Sequence, residues 1–275
     1  MPVTAEDSGT AALAGRSVRR MGFGTMRLTA NPDRDLAIRV LHRAVELGVN
    51  HLDTAAFYVS PGGTLGVGSG PKRYAAELIR AALSPYPDDL VIATKVVSSS
   101  PLRERVETNL RLLGVDALDV VNLRLYDRAA ASLEVQFEEL AGLQREGLIR
   151  HLGISNVHRH HLDQAQAIAP VVCVQNAYGV DLRLPSDTEL LHECERRGIA
   201  FVPFFSVAGT GREKGYTAGA GITIPEGVSE QQFRIAWTLH QGPHVLAIPG
   251  TGSLAHLEEN IAAGALRLPA FTAGP

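Results

Sequence analysis

Short apolar runs rich in valine and isoleucine recur along the chain at 51–55, 91–96, 119–124, 151–156, 171–178, 200–205 and 245–250, with a weaker one near Met21–Met26. Each has the length of a buried strand. Between them the apolar residues fall at helical spacing. In 33–48, Leu36, Val40, Leu41 and Leu47 lie broadly on one face, and Gly48 stands where the helix would end. Further helices are predicted near 72–83, 102–113, 132–146, 158–168, 187–197, 229–240 and 254–264. Gly114, Gly147 and Gly198 each follow one of them, where glycine takes the left-handed conformation that closes a helix.

Regular alternation of the two element types implies a parallel sheet with helical crossovers. Counting the weak first strand, the chain holds eight such units. No glycine-rich Rossmann turn is present. GFGTM (22–26) offers a G-x-G, but no further glycine stands at the fingerprint position. The α/β pattern therefore favours a closed (β/α)8 TIM barrel over an open doubly wound sheet. With no internal repeat or long linker, residues 1–275 read as a single barrel, with a flexible segment over 1–15 and an abbreviated C-terminal tail.

Composition narrows the class without altering that picture. At 45% hydrophobic residues, the chain has enough apolar side chain to fold rather than remain disordered. Twenty-six basic against 29 acidic residues leave a net charge of −3, which gives no basic footprint for nucleic acid. No apolar run approaches the roughly 18 residues a membrane span needs. The first 24 residues carry acids before bases and lack the apolar core of a secretory signal. Cys173 and Cys194 are the only cysteines and fall inside predicted elements, so neither a disulfide framework nor a four-ligand zinc site is expected. A cytoplasmic protein without a metal centre is the expectation. His158, His160 and His161 do not alter it, since their spacing does not build a facing pair of ligands on a helix. Trp237 lies on the apolar stripe of its helix and reads as core.

In a barrel of this type, chemistry sits at the C-terminal ends of the strands. Asp53 closes the second strand and Tyr58 follows in the next loop; Lys95 ends the third strand and Arg124 the fourth. A lysine held by an aspartate and placed beside a tyrosine would favour the phenolate and lower the phenol's pKa. Such a tyrosine can give a proton to a carbonyl oxygen while hydride reaches the carbon. The plainer alternative, structural ion pairs and loop braces, applies to each residue singly more readily than to all four together. Ser155, Asn156, Gln175 and Asn176 bring neutral hydroxyl and amide groups to the next strand ends, suited to a neutral carboxamide; Ser155 or Asn156 serves equally as a helix cap. Phe204 offers a flat apolar surface or core packing. IPGTGS (248–253) leads a glycine-rich turn into a helix N-terminus, a natural place for phosphate.

At these residues the chain resembles the aldo-keto reductases over about residues 19–268. The carrying segments are GFGTM, GVNHLDTAAFY, VIATK, NLRLLGVDALDVVNLR, GLIRHLGISN, VCVQNAY and IPGTGSLAHLEEN. The resemblance implies a barrel that binds NADPH in extended form, with NADH left open, and a small-molecule carbonyl substrate. It makes Tyr58 the general acid, Lys95 its tuning cation and Asp53 the lysine's anchor. It assigns Ser155, Asn156 and Gln175 to the nicotinamide carboxamide and counts Gly24, Thr25 and Gly250 among the cofactor-binding residues. Phe204 falls where a tyrosine usually stacks on the ring. Thr251, Ser253, His256, Glu259 and Asn260 match positions around the adenosine end.

Departures from the family pattern concentrate on the substrate side. Arg124 stands where the family usually has a catalytic histidine, and is similar to a bacterial branch that includes pyridoxal reductases. Arginine stays charged and offers a forked donor, suited to a carbonyl or to a phenolate, carboxylate or phosphate. The loop 59–74 is long and glycine-rich, either a flap carrying Lys72 and Arg73 to the mouth or a spacer. The loop 206–221 lacks the family's usual wording; its Arg212 or Lys214 is expected to help hold a 2′-phosphate. Two rival readings remain: an NADPH-binding regulatory protein with little turnover, and redox-neutral chemistry on the same scaffold. The resemblance leaves the oligomeric state open.

Overall fold

The computed structural model describes residues 3–130, 132–204 and 224–268. Two short strands come first, β1 (Thr10–Leu13) and β2 (Arg16–Arg19). The barrel strands follow: β3 (Phe23–Gly24), β4 (His51–Asp53), β7 (Val91–Val97), β8 (Leu118–Arg124), β9 (Ile149–Ser155), β10 (Val171–Gln175) and β11 (Ala200–Phe201). They pair in parallel in the order β11-β10-β9-β8-β7-β4-β3. The segment predicted as the last strand closes the ring through single parallel bridges, Phe201 to Val245 on one side and Met21 to Ala247 on the other. Backbone bonds from Leu246 N to Phe201 O (2.9 Å) and from Gly22 N to Ala247 O (2.8 Å) complete the closure. The fold is the (β/α)8 TIM barrel.

The eight helices are α1 (Arg34–Glu46), α2 (Ala75–Leu83), α3 (Leu102–Leu113), α4 (Glu134–Arg145), α5 (Arg159–Ile168), α6 (Pro185–Arg196), α7 (Glu230–Leu239) and α8 (Leu254–Ala262) among the described residues. Their ends carry chemical reasons. Asp33 caps α1 by accepting from Leu36 N, and Ser229 caps α7 by accepting from Gln232 N. Gly114, Gly147 and Gly198 all take positive φ after α3, α4 and α6, as the sequence predicts. Trp237 is buried on α7.

Strand alternation separates two apolar regions. Leu52, Val121, Leu123, Ile154 and Val174 face outward and pack against the helices. Val91, Ala93, Val120, Cys173, Ala200, Val202 and Leu246 form a second, inner cluster. Leu13, Ala14 and Val18 join that inner cluster. They belong to the β1–β2 hairpin, whose turn uses positive φ at both Ala14 and Gly15. The segment read from the sequence as flexible over 1–15 therefore contains a short 3-10 helix at Ala5–Ser8 and the first strand of a hairpin packed into the barrel interior. Its apolar side chains cover the interior residues that the barrel would otherwise expose.

Glycine is required where the barrel closes at the top. A Cβ on Gly24 would lie 2.6 Å from Ile248 O, and one on Gly250 would lie 2.3 Å from Gly24 O. The first and last strand ends thus meet backbone to backbone.

His51, at the start of β4, is buried against Gly22, and neither ring nitrogen has a hydrogen-bond partner. Burial pushes its pKa down from 6.5 to about 4. The folded chain therefore takes up this proton less readily than the unfolded one. Its contribution to stability is complete above pH 6.5 and declines as the pH falls toward about 4, a loss of about 3 kcal/mol. Urea unfolding at neutral and mildly acidic pH is expected to show a shallower pH dependence for His51→Leu than for the wild type. Equal slopes in the two proteins would exclude His51 as the source.

Candidate active site

The alternation that puts Val91 and Ala93 in the barrel interior carries Lys95 to the top on the same side. Lys95 Nζ donates to Asp53 Oδ1 (2.8 Å), Asp53 Oδ2 (2.6 Å) and Thr54 O (3.0 Å). The three protons of the ammonium are thereby engaged. The two side chains are only 3% and 6% exposed, so neither charge is satisfied by water. Gln175 Nε2 donates to the same carboxylate at 2.8 Å. Thr25 supplies both its N–H and its hydroxyl to the Asp53 carbonyl, each at 3.0 Å. Asp53 is thus held through side chain and backbone alike.

Lys95 Nζ lies 4.8 Å from the centroid of the Tyr58 ring. Tyr58 is half-buried, stacked edge-on against Phe57 with centroids 5.2 Å apart, and its carbonyl accepts from Ala75 N at the start of α2. Burial pushes the Tyr58 phenol above 10.0, and Asp53 adds to this; Lys95 and Arg124 pull it down without reversing it. The expected lowering is therefore corrected. The lysine acts in the direction predicted, but loss of water around the phenolate costs more than the cation returns. Burial pulls Lys95 downward, yet Asp53 and Tyr58 outweigh it and hold the ammonium above 10.5. At neutral pH the pair is a charged lysine beside a protonated phenol.

Arg124 ends β8 in register with Ser155. Its Nη1 donates to Ser155 Oγ at 3.3 Å, and its guanidinium carbon stands 4.9 Å from the Phe204 ring centroid. Burial lowers its pKa, while Tyr58 and Asp53 oppose that shift. All four residues predicted from the strand ends thus share one electrostatic neighbourhood.

The predicted cofactor residues divide into three groups. Gln175 and Ser155 are fully buried beside the charged set. Donation to Asp53 fixes the Gln175 amide, leaving its Oε1 buried with no hydrogen-bond partner. That lone acceptor fits the N–H of a nicotinamide carboxamide. Asn156 takes φ +58° and donates from Nδ2 to Leu125 O (2.9 Å), bracing the loop after Arg124. Thr25, fully buried, spends its hydroxyl on Asp53 as described. Gly24 and Gly250 form the strand closure. At α8, Thr251 Oγ1 accepts from Ser253 N and Ser253 Oγ accepts from His256 N, so the turn is satisfied internally. His256 is exposed, Asn260 is buried, and Glu259 accepts from the Ser229 hydroxyl at the start of α7.

Sequence reasoning missed three features. The loop after Tyr58 contains its own small hairpin, β5 (Val59–Ser60) with β6 (Arg73–Tyr74). Arg73 turns inward rather than toward substrate, donating to Thr29 O, Ser69 O and Pro71 O. His161 has a capping role, with Nδ1 accepting from His158 N and its other nitrogen against Ala130 O. The loop 206–221 with its Arg212 and Lys214, and the tail after Leu268, lie outside the described residues.

The Aldo/keto reductase family profile matches residues 20–233. The chain is 39% identical to pyridoxine 4-dehydrogenase of Escherichia coli, covering 95% of this chain and 94% of that one. It is 34% identical to an uncharacterised oxidoreductase of Schizosaccharomyces pombe, over 97% and 88%. Among solved structures, a thermostable aldo-keto reductase bound to the inhibitor epalrestat has a TM-score of 0.75 at 27% identity, over 95% and 96% of the two chains. An aldo-keto reductase from Klebsiella pneumoniae, in complex with NADPH, has a TM-score of 0.76 at 24% identity, over 98% and 92%. No helix among the described residues is long and apolar enough to cross a membrane.

Proposed function

The chain belongs to the aldo/keto reductase family, an oxidoreductase family, and from that premise we propose that it reduces the carbonyl group of a small aldehyde or ketone with NADPH. The observation that carries this reading is the buried Lys95–Asp53 pair set 4.8 Å from the ring of a protonated Tyr58. NADPH, when bound, would supply the hydride for the carbonyl carbon. Tyr58 gives its phenolic proton to the carbonyl oxygen. The charged Lys95 then stabilises the phenolate that this transfer leaves. Asp53 keeps Lys95 fixed and charged, and Gln175 and Thr25 keep Asp53 in place. The unpartnered Gln175 Oε1, with Ser155, supports a carboxamide site beneath this group. Phe204 would flank the ring, and the Thr251–Asn260 segment would hold the adenosine end.

Pyridoxal is the substrate this reading names first, on the strength of the pyridoxine 4-dehydrogenase relative and of the guanidinium at position 124. The cytoplasm is the compartment in which it would act. The experiment is NADPH oxidation with a carbonyl panel that includes pyridoxal, read beside NADPH and NADH binding. Turnover of pyridoxal with a clear preference for NADPH is expected. NADPH binding without oxidation by any carbonyl would replace reductase function with binding or redox-neutral chemistry, and an affinity ratio near one would remove the preference for NADPH.

A further inference from the structure

Three charged side chains stand at the barrel mouth around Tyr58, and two of them are fully occupied. Lys95 and Asp53 neutralise each other, and Gln175 takes up a further lone pair of the carboxylate. Arg124 differs. No carboxylate of the described residues lies within ion-pair distance of it, and its one hydrogen bond is the long contact to Ser155 Oγ. A guanidinium has five N–H donors in a planar fork, so most of this fork makes no bond to the described residues. The head is half-buried and lies over the Phe204 ring, which leaves it less water than a surface arginine has. Three other buried or half-buried arginines do have carboxylate or multiple carbonyl partners. Arg128 pairs with Asp187, Arg234 with Asp181 and Glu230, and Arg20 with three carbonyl oxygens.

We infer that Arg124 is the counter-ion for an anionic oxygen on the substrate, and that the favoured substrates are aromatic carbonyl compounds bearing an ionised oxygen on the position next to the carbonyl. Two features of the site support this class. Arg124 pairs with Val97, two residues beyond Lys95 on β7, which puts the guanidinium on the same rim as the Tyr58 ring that Lys95 faces. The fork also matches a planar carboxylate or phenolate, whose charge would offset the cost of keeping the guanidinium from water. The assignment makes Arg124 a specificity residue and rests on the carbonyl-reductase reading for its substrate class.

The test separates recognition from turnover. Salicylate and its neutral amide, salicylamide, are titrated calorimetrically into the NADP-loaded protein. In parallel, kcat and KM are measured for 2-carboxybenzaldehyde and 2-methoxybenzaldehyde. The wild type is expected to favour each anionic compound by about tenfold or more, the worth of one charged hydrogen bond. In Arg124→Met both preferences should collapse to near one, whatever the absolute rate, and Arg124→Lys should retain part of them. Circular dichroism confirms that each variant is folded. A wild type that binds salicylate and salicylamide equally overturns the inference even if both aldehydes are reduced. A preference that survives in folded Arg124→Met also overturns it. Preferential salicylate binding lost in the variant, with neither aldehyde reduced, upholds the anion site and removes the reductase reading instead.

Discussion

Tyr58→Phe is expected to lower kcat for carbonyl reduction by about 10²–10⁴-fold, the range contributed by a positioned proton donor, while NADPH still binds. Phenylalanine keeps the ring that packs against Phe57 and lies near Lys95, and removes only the hydroxyl. The loss should therefore fall on turnover rather than on folding or cofactor affinity. The raised phenol pKa adds a condition. Because the donor must be protonated, Tyr58-dependent reduction should persist through mildly alkaline pH and fail only above the ordinary tyrosine value of 10.0. Steady-state rates across alkaline pH, with NADPH binding followed by fluorescence, test both statements. A variant that turns over like the wild type would transfer the proton donor's role to another group.

The second large effect is on stability. Lys95→Met would leave the Asp53 carboxylate buried with Gln175 as its remaining side-chain donor. Breaking a buried pair by removing one partner costs about 3–5 kcal/mol, so the variant should unfold at much lower urea concentration and lose reductase activity. Replacing both residues removes the uncompensated charge. The Asp53→Leu, Lys95→Met double variant should thus recover much of the lost stability and none of the activity. If the single and double variants are equally unstable, packing around position 95 outweighs its charge.

The parts of this structure that were legible in the sequence are those governed by strong local patterns. The run VIATK places a lysine at the end of an apolar strand, and alternation from Val91 forces it to the inner side of the mouth. The glycines after α3, α4 and α6 mark helix ends because their positive φ values disfavour other residues. The β1–β2 hairpin was harder to see. TAAL and RSVR have few large apolar residues, and their burial comes from the shape of the barrel interior rather than from their own hydrophobicity. The Ala14-Gly15 turn was the available signal. Side-chain allegiance was less legible still. Thr25 and Asn156 have polar groups suited to a cofactor, yet Thr25 gives its hydroxyl to the Asp53 carbonyl and Asn156 its amide to the Leu125 carbonyl. Tyr58 shows the same limit for charge. Lysine and tyrosine can be read from the sequence, but the balance between a neighbouring cation and lost solvation depends on depth.

The family match begins at residue 20, just after the hairpin that fills the lower end of the inner cluster. A chain trimmed to that boundary would keep every residue proposed for chemistry and lose its stopper. Val91, Val120 and Leu246 would then face an open shaft, and water could climb toward the Lys95–Asp53 pair from below. The proton donor's setting thus depends on ten residues at the opposite end of the barrel, Thr10–Arg19.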